Sequence, residues 1–405
     1  VFLTLQSFIS VSLLFLSVFF IISFNSHDGL AVFRRKTREG IQKMEKTVLD
    51  TAIKFGAGRY RQGVGVLEEC GGEIARFGKN VLLLAGHRAF AAVKDRLLPS
   101  LEAAGVAYTV ALHEGYCTYE DARALAAQCA ALGCDEVVGA GGGKIMDLAM
   151  ATAELAGVGV VNIPTSIATC AAFTCMSVMY TPEGGHKDSW RYDHEIDAVL
   201  VDLQVIADCP ARYMASGILD AMAKRIEIQN GRPSISLADT PVDLFSAYRM
   251  AEYTYEALSQ YALQAMEDVR QHKVTKAVED VTFINMAVTG VLSNTTRSFK
   301  QSALAHAVDY AIRTYFPQES RDALHGEAVA VGLFLQLYYN QQAEQIPPLK
   351  DLMRKMEMPL SLDALGVPST DENLQILEDY LIETSRVGED AASRARLHEA
   401  LRQLR

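Results

Sequence analysis

The stretch Val137–Lys144 (VVGAGGGK) decides the predicted fold, because a β-branched run ends in glycines that lead directly into a helical pattern. Glycines let a backbone approach a pyrophosphate, and the free N–H groups of a helix start attract anions. The match to common nucleotide motifs is imperfect, since Ile145 stands where a Walker loop needs Ser or Thr. Taken alone, the turn is either a tight connection or an anion site.

Around this turn, short aliphatic runs alternate with helical patterns, which is typical of a parallel α/β layer. The predicted strands are 80–84, 107–112, 136–139, 158–163, 176–180 and 198–201. The helices predicted between them are 64–77, 89–104, 119–132 and 144–155. After Pro210, apolar residues recur at helical spacing through 211–229, 247–265, 274–291, 303–315 and 326–343, followed by shorter helices at 349–356, 371–383 and 391–404.

This organisation predicts an α/β dinucleotide-binding domain over residues 44–205 and an all-helical domain over residues 206–405. The turn at Val137–Lys144 then follows a strand in the middle of the sheet, where open α/β sheets bind nucleotides. A cleft between two such halves is a favoured place for a ligand.

Composition limits the function classes. The chain has 405 residues, of which 50% are apolar and 21% are charged, so it buries a large core and is not intrinsically disordered. The net charge of −11, without a long basic block, makes the chain a poor candidate for binding nucleic acid, and no nucleic-acid partner is expected. Seven cysteines without a Cys-x-x-Cys spacing disfavour a thiolate zinc site. We expect reduced thiols and a cytoplasmic location.

Residues 1–43 contradict that picture. Residues 1–24 carry no charge and include 17 apolar side chains, and a basic cluster follows at 34–38. The first methionine is Met44, and we expect the preceding segment to be translated upstream DNA from a misplaced start. A membrane anchor is the main alternative, and a signal peptide is the weaker one. Without that anchor, no membrane partner is expected.

Three residues of the helical half form a candidate metal set. Asp220 lies among Ala, Met, Ile and Leu, where a carboxylate is costly to bury unless it is paired or bound to metal. His306 is flanked by small apolar residues, and His325 opens another helix. Each histidine alone is more typical of a core residue, but one carboxylate and two imidazoles suit an open three-ligand site.

Several motifs now occur in one order along the chain: Gly141–Asp147, Ile163–Thr165, Ser177–Thr181, Gly217–Ala221, His306 and His325–Glu327. This series resembles the glycerol-dehydrogenase branch of the iron-containing (group III) alcohol dehydrogenases, whose fold is shared with dehydroquinate synthase. The resemblance runs from about Phe55 to the C-terminus. It implies a homo-oligomeric enzyme that transfers hydride between NAD(P)(H) and a small alcohol or carbonyl compound.

The resemblance also implies roles for individual residues. The cofactor phosphates and nicotinamide side would be held by Gly142, Gly143, Lys144 and Asp147. The dinucleotide groove would be lined by Thr165, Thr169, Thr174, Met176 and Tyr180. A divalent metal would be bound by Asp220, His306 and His325, of which His306 is also assigned a catalytic role.

Relatives that bind iron through four ligands have a histidine one helical turn after the aspartate, where this chain has Lys224. A lysine does not normally ligate, so three protein ligands remain. Three ligands favour Zn²⁺ over Fe²⁺ without excluding iron.

The substrate pocket departs from the glycerol dehydrogenases, which carry an aspartate where this chain has Cys170. The change leaves the pocket less negative and resembles the hydroxycarboxylate dehydrogenase-like members. A 2-oxo acid/2-hydroxy acid pair is therefore ranked above glycerol oxidation, the first alternative. His186, Lys187 and Arg191 either supply a cation to the substrate or belong to a solvated hairpin.

The cofactor specificity rests on the end of the first predicted strand. NAD-specific relatives carry an acidic residue there for the ribose 2′-hydroxyl, whereas this chain has Gly86, followed by His87 and Arg88. No carboxylate repels a 2′-phosphate, so NADPH is favoured over NADH. The other interpretation of Arg88 is the solvated start of a helix.

Two further alternatives come from other function classes. The first is a dehydroquinate synthase-like lyase, which needs a cluster of Lys and Arg near the metal ligands; the local sequence around those ligands predicts no such cluster. The second is a membrane-tethered nucleotide-binding protein, against which the complete Asp220, His306 and His325 set argues.

Overall fold

The computed structural model describes residues 53–296, 302–384 and 387–405. Its central feature is a six-stranded sheet in which every paired neighbour is parallel. In chain order its strands are β1 (Ala57–Gly63), β2 (Asn80–Ala85), β3 (Ala107–Leu112), β4 (Glu136–Gly141), β5 (Gly159–Pro164) and β8 (Ile196–Asp202). Across the sheet they follow the order β1-β8-β5-β4-β2-β3.

Helices cover both faces of this sheet. They are α1 (Cys70–Ile74), α2 (His87–Ala103), α3 (Tyr119–Leu132) and α4 (Gly143–Ala156). The odd-numbered side chains of β2 pack in one apolar cluster with α2, and the even-numbered ones pack in another cluster with α4. The chain thus leaves β2 and β4, which are neighbours, toward opposite faces. Such a switch point opens a crevice at the carboxyl ends of the strands.

The remaining strands, β6 (Met176–Tyr180) and β7 (His186–Arg191), form an antiparallel hairpin outside the main sheet. After β8 the described chain is helical. The helices are α5 (Leu203–Asp208), α6 (Ala211–Gln229), α7 (Val242–Arg270), α8 (Lys276–Phe283), α9 (Thr289–Thr295), α10 (Leu304–Tyr315), α11 (His325–Tyr339), α12 (Ile346–Lys355), α13 (Asp371–Thr384) and α14 (Ala391–Leu401). The central one is α6, which is buried along most of its length.

The predicted fold class, an α/β half followed by a helical half, is confirmed. Three details were wrong. Strand β1 was not predicted, because its polar sequence suits an edge strand that pairs only with β8. Strand β6 was assigned to the main sheet but lies in the hairpin, where its alternating burial fits one covered face. The helix predicted at 64–77 is a 3₁₀ turn, Val66–Glu68, followed by the short α1.

The helical half also differs in its boundaries. Helix α7 is longer than predicted, and a π-helical turn at Ile284–Val288 separates α8 from α9. In the part of the chain that the structure describes, no helix is both long and apolar enough to cross a membrane. The interpretations of residues 1–43 fall outside the described residues, and the domain boundaries at 44–205 and 206–405 stay predictions.

Candidate active site

The glycine-rich turn lies at the switch point of the sheet. Gly142 precedes α4 and no side chain caps the helix there, so the turn offers backbone N–H groups to an anion. A Cβ on Gly143 would lie 3.2 Å from Thr169 Oγ1, which shows how closely the turn and the loop after β5 approach. The Lys144 ammonium lies 3.8 Å from the centre of the Tyr116 ring. This geometry suits a cofactor phosphate.

The three candidate metal ligands come from three helices and converge. Asp220 lies on α6, His306 on α10 and His325 begins α11, and their ligand atoms all lie within 4.8 Å of one another. Asp220 Oδ1 is 3.3 Å from His306 Nε2 and 3.8 Å from His325 Nε2. Ligands at zinc distances in a tetrahedron are about 3.4 Å apart, so the spacing fits a small divalent ion.

Two carboxylates behind the imidazoles fix their orientation. Glu227 on α6 accepts a hydrogen bond from His306 Nδ1, and Asp309 Oδ2 lies 2.8 Å from His325 Nδ1. Each imidazole therefore directs Nε2 at the site. Such carboxylate–histidine pairs are typical of metal centres, where they raise the basicity of the ligand. The donor set and its support fit a divalent metal.

Lys224 enters the same cluster. Its ammonium lies 2.7 Å from Asp220 Oδ1 and 2.9 Å from His306 Nε2, and its side chain is buried. Burial disfavours the ionised forms of both Lys224 and Asp220. Their mutual attraction outweighs burial, so the pKa of Asp220 is lowered and the pKa of Lys224 is raised. The pair is a buried ion pair at neutral pH.

Two glycines allow neighbouring segments to pack this closely against α6. A Cβ on Gly326 would lie 1.9 Å from the Ser216 backbone oxygen, and a Cβ on Gly217 would lie 1.7 Å from the Ile167 backbone oxygen. The first contact presses the start of α11, with His325, against α6. The second presses α6 against the loop between β5 and β6. A larger side chain at either glycine would push these segments apart and so disturb the spacing of the metal ligands.

A cavity of about 960 Å³ runs from the glycine turn to the metal cluster and is lined by both halves of the chain. Most of the predicted cofactor residues line it: Gly142, Gly143, Lys144, Asp147, Thr169, Thr174, Met176 and Tyr180. Gly86 and Thr165 do not line it. Gly86 nevertheless lies at the neighbouring strand end, where a Cβ would be 3.7 Å from Ile145.

Cys170 lines the cavity next to the metal cluster. Burial, followed by the nearby Asp220, raises the pKa of its thiol to about 11. The neutral thiol contacts Ser293 Oγ at 3.7 Å. Cys170 therefore contributes an uncharged wall rather than a thiolate nucleophile.

Asp147 also lines the cavity, but it is buried and its pKa is raised well above the ordinary value by burial. The Val178 backbone N–H donates to its carboxyl group, and its own backbone oxygen accepts from Ser177 Oγ at 2.6 Å. It therefore ties α4 to the hairpin.

Cationic side chains also line the cavity that contains the metal ligands. Six cationic side chains line the cavity: Lys144, Arg191, Arg212, Lys224, Arg313 and Arg321. Four of them pair with acids: Arg212 with Glu327, Lys224 with Asp220, Arg313 with Asp309 and Arg321 with Asp322. These cations come from separate segments, so no local sequence run reveals them.

The hairpin places in the cavity wall two of the three residues whose role the sequence left undecided. His186 and Arg191 line the cavity, whereas Lys187 lies over the Tyr119 ring instead. The His186 ring stacks on Tyr310 at 4.2 Å, and its buried Nε2 has no hydrogen-bond partner in the described structure. This part of the hairpin therefore belongs to the cavity wall.

Sequence reasoning missed the supporting acids Glu227 and Asp309. A sequence signal exists for both: Asp309 follows His306 by one helical turn, and Glu227 lies two turns after Asp220. Acids spaced in this way on a buried helix face predict partners for the ligands.

Comparison with known proteins gives the family. The model of the iron-containing alcohol dehydrogenases matches residues 57–203. Hydroxycarboxylate dehydrogenase A of Escherichia coli is 31% identical over 288 residues, which cover 70% of this chain and 76% of that protein. The glycolaldehyde reductase of Halobacterium salinarum is 28% identical over 329 residues, covering 80% of this chain and 87% of that protein.

Among solved structures, a probable glycerol dehydrogenase from Sinorhizobium meliloti superimposes with a TM-score of 0.74 at 23% identity, covering 87% of this chain and 98% of that one. This likeness supports the fold. The fold and the site define a metal-dependent oxidoreductase of the alcohol dehydrogenase type. The chain belongs to the iron-containing alcohol dehydrogenase family, which confirms the resemblance seen in the sequence motifs.

Proposed function

We propose that this enzyme interconverts a 2-oxo acid and a 2-hydroxy acid with a nicotinamide cofactor. The observation that carries the proposal is that Lys144 and Arg191 line the same cavity as the metal ligands and the uncharged Cys170. Ammonium and guanidinium donors in the cavity wall suit a substrate with a carboxylate.

Cys170 supports the same substrate class. The neutral thiol stands where the glycerol dehydrogenases carry an aspartate, so no carboxylate of the wall repels an anionic substrate at that point. Arg191 on the hairpin is the cation that we assign to the substrate carboxylate. A guanidinium binds a carboxylate through two parallel hydrogen bonds.

The metal would be held by Asp220, His306 and His325, and we favour Zn²⁺ because three such ligands leave an open tetrahedral position. A bound divalent metal polarises a substrate oxygen and stabilises the alkoxide. Glu227 and Asp309 keep the two imidazoles aimed at the metal.

A two-carbon substrate pair tests the proposal. Glyoxylate and glycolaldehyde both present an aldehyde. Glyoxylate carries a carboxylate next to it, whereas glycolaldehyde carries a hydroxymethyl group. We expect kcat/KM to be higher for glyoxylate, and 2-oxobutyrate to be reduced faster than glycerol is oxidised at matched saturation. Arg191→Gln should raise KM for glyoxylate more than for glycolaldehyde, whereas Arg249→Gln, on an exposed helix face, should change neither.

Glycolaldehyde reduction is the second candidate function, because a relative that matches 80% of this chain carries that name. A preference for glycolaldehyde that Arg191→Gln leaves unchanged would support it over the 2-oxo acid. Efficient glycerol oxidation would overturn both rankings.

We propose NADPH as the preferred cofactor. Gly86 directly follows β2 beside the glycine turn, and the exposed His87 and Arg88 open α2 at the same sheet edge. Gly86→Asp should shift the ratio of kcat/KM values toward NADH, since its carboxylate repels a 2′-phosphate. Arg88→Ala should raise KM for NADPH alone, and an unchanged cofactor ratio in both variants would contradict the assignment.

A further inference from the structure

We infer that Lys224 is a built-in cation that competes with the divalent metal for Asp220 and His306, so that metal binding requires the lysine side chain to move away. The inference concerns how the metal site is loaded. It does not depend on which substrate the enzyme reduces.

The contacts of Lys224 carry the first step. Lys224 lies one helical turn after Asp220 on α6, and its side chain is 3% exposed. Its ammonium contacts both Asp220 Oδ1, at 2.7 Å, and His306 Nε2, at 2.9 Å. An ammonium has three donors and no acceptor, so His306 Nε2 must be the acceptor.

The chemistry of imidazole prevents Lys224 and a metal from binding His306 Nε2 at the same time. Glu227 holds His306 Nδ1 from the other side, which places the proton of the neutral ring on Nδ1 and leaves one lone pair on Nε2. That lone pair either accepts from Lys224 or binds a metal. An ammonium within hydrogen-bond distance of the ligand atoms would also repel a divalent cation.

Two consequences follow. The buried Asp220 always has a positive partner, either the ammonium or the metal, so metal-free protein keeps its ligand arrangement. The same ammonium also lowers metal affinity, because its contacts must be broken before the metal binds. A variant without the charge should therefore lose stability only when metal is absent, and should bind metal more tightly.

The experiment compares wild type, Lys224→Met and the control Lys273→Met, whose lysine is exposed. Zn²⁺ affinity is measured by competition with a chromophoric chelator, and Tm is measured in chelator and in saturating Zn²⁺. Lys224→Met should bind Zn²⁺ at least about tenfold more tightly, since breaking a buried ion pair is costly. Its Tm should fall in chelator and return to the wild-type value with Zn²⁺.

A purely structural role gives a different pattern, in which Tm falls equally in both conditions and Zn²⁺ affinity stays unchanged or weakens. That result would overturn the inference. If Lys224→Met does not fold, Lys224→Gln carries the test with the same expected directions, because its amide still donates one hydrogen bond but carries no charge. The Lys273→Met control should match wild type throughout.

Discussion

Glu136 is a buried acid far from the chemistry of the site. It lies at the start of β4, is 2% exposed, and its pKa is raised to about 9, first by burial and then by Asp197. A Cβ on Gly159 would lie 2.1 Å from Asp197 Oδ2 and 2.5 Å from Glu136 Oε2. The glycine therefore makes room for two carboxyl groups that lie side by side.

This raised pKa predicts how stability depends on pH. The folded protein holds the Glu136 proton up to about pH 9, whereas the unfolded chain releases it near its ordinary pKa of 4.5. The contribution of this group to stability is therefore complete below the unfolded pKa and is lost as pH rises toward 9. Glu136→Gln lacks this loss, so its Tm should exceed that of wild type by a margin that grows from pH 5 to 9. A Tm difference that stays constant with pH would contradict the raised pKa of Glu136. Glu183→Gln, on an exposed turn, is the control.

The acids behind the imidazoles give a second prediction at the residue scale. Asp309→Asn removes the carboxylate that orients His325, so metal affinity should fall about 10–100-fold. Chelator competition measures the change. Asp322→Asn, which removes a carboxyl group elsewhere in the cavity wall, should leave the affinity within about twofold, and a similar loss in both variants would argue against a specific role for Asp309.

At the scale of elements, the contact between α6 and α11 sets the spacing of the metal ligands. Gly326→Ala introduces a Cβ that would lie 1.9 Å from the Ser216 backbone oxygen, so the start of α11 must move away from α6. Backbone cannot yield as a flexible side chain does, and we expect lower Tm together with weaker metal binding.

Gly72→Ala is the matched control, because a Cβ there would meet nothing within 4 Å and alanine favours helix α1. It should leave metal affinity unchanged and keep or raise Tm. Wild-type metal affinity in Gly326→Ala would show that the helices can separate without disturbing His325.

At the scale of the whole molecule, Asn294 joins the two halves. Its side chain accepts from the Cys175 backbone N–H at 3.0 Å and donates to the Phe173 backbone oxygen at 3.0 Å. This segment precedes β6 and includes Thr174, which lines the cavity. The helical half thereby holds the loop that faces the cofactor side.

Asn294→Ala should lower the free energy of unfolding by about 2–4 kcal/mol, because it leaves two buried backbone groups unpaired. It should also weaken cofactor binding, measured by fluorescence titration with NADPH. Asn373→Ala removes an amide hydrogen bond at an exposed position and should change neither quantity. A stability loss with unchanged cofactor affinity would show that the loop holds its shape without Asn294.

The sequence by itself determined the order of elements, the glycine-rich turn and the family, because periodicity and motifs are local properties of the chain. It also singled out Asp220, His306 and His325, since buried ionisable residues in apolar runs are unusual without a partner. Only the tertiary structure decided that Lys224 reaches two of these residues and that cations from distant segments share one cavity wall. The physical reason is that a contact or a field depends on separation in space, and helix packing, here fixed by Gly217 and Gly326, sets that separation.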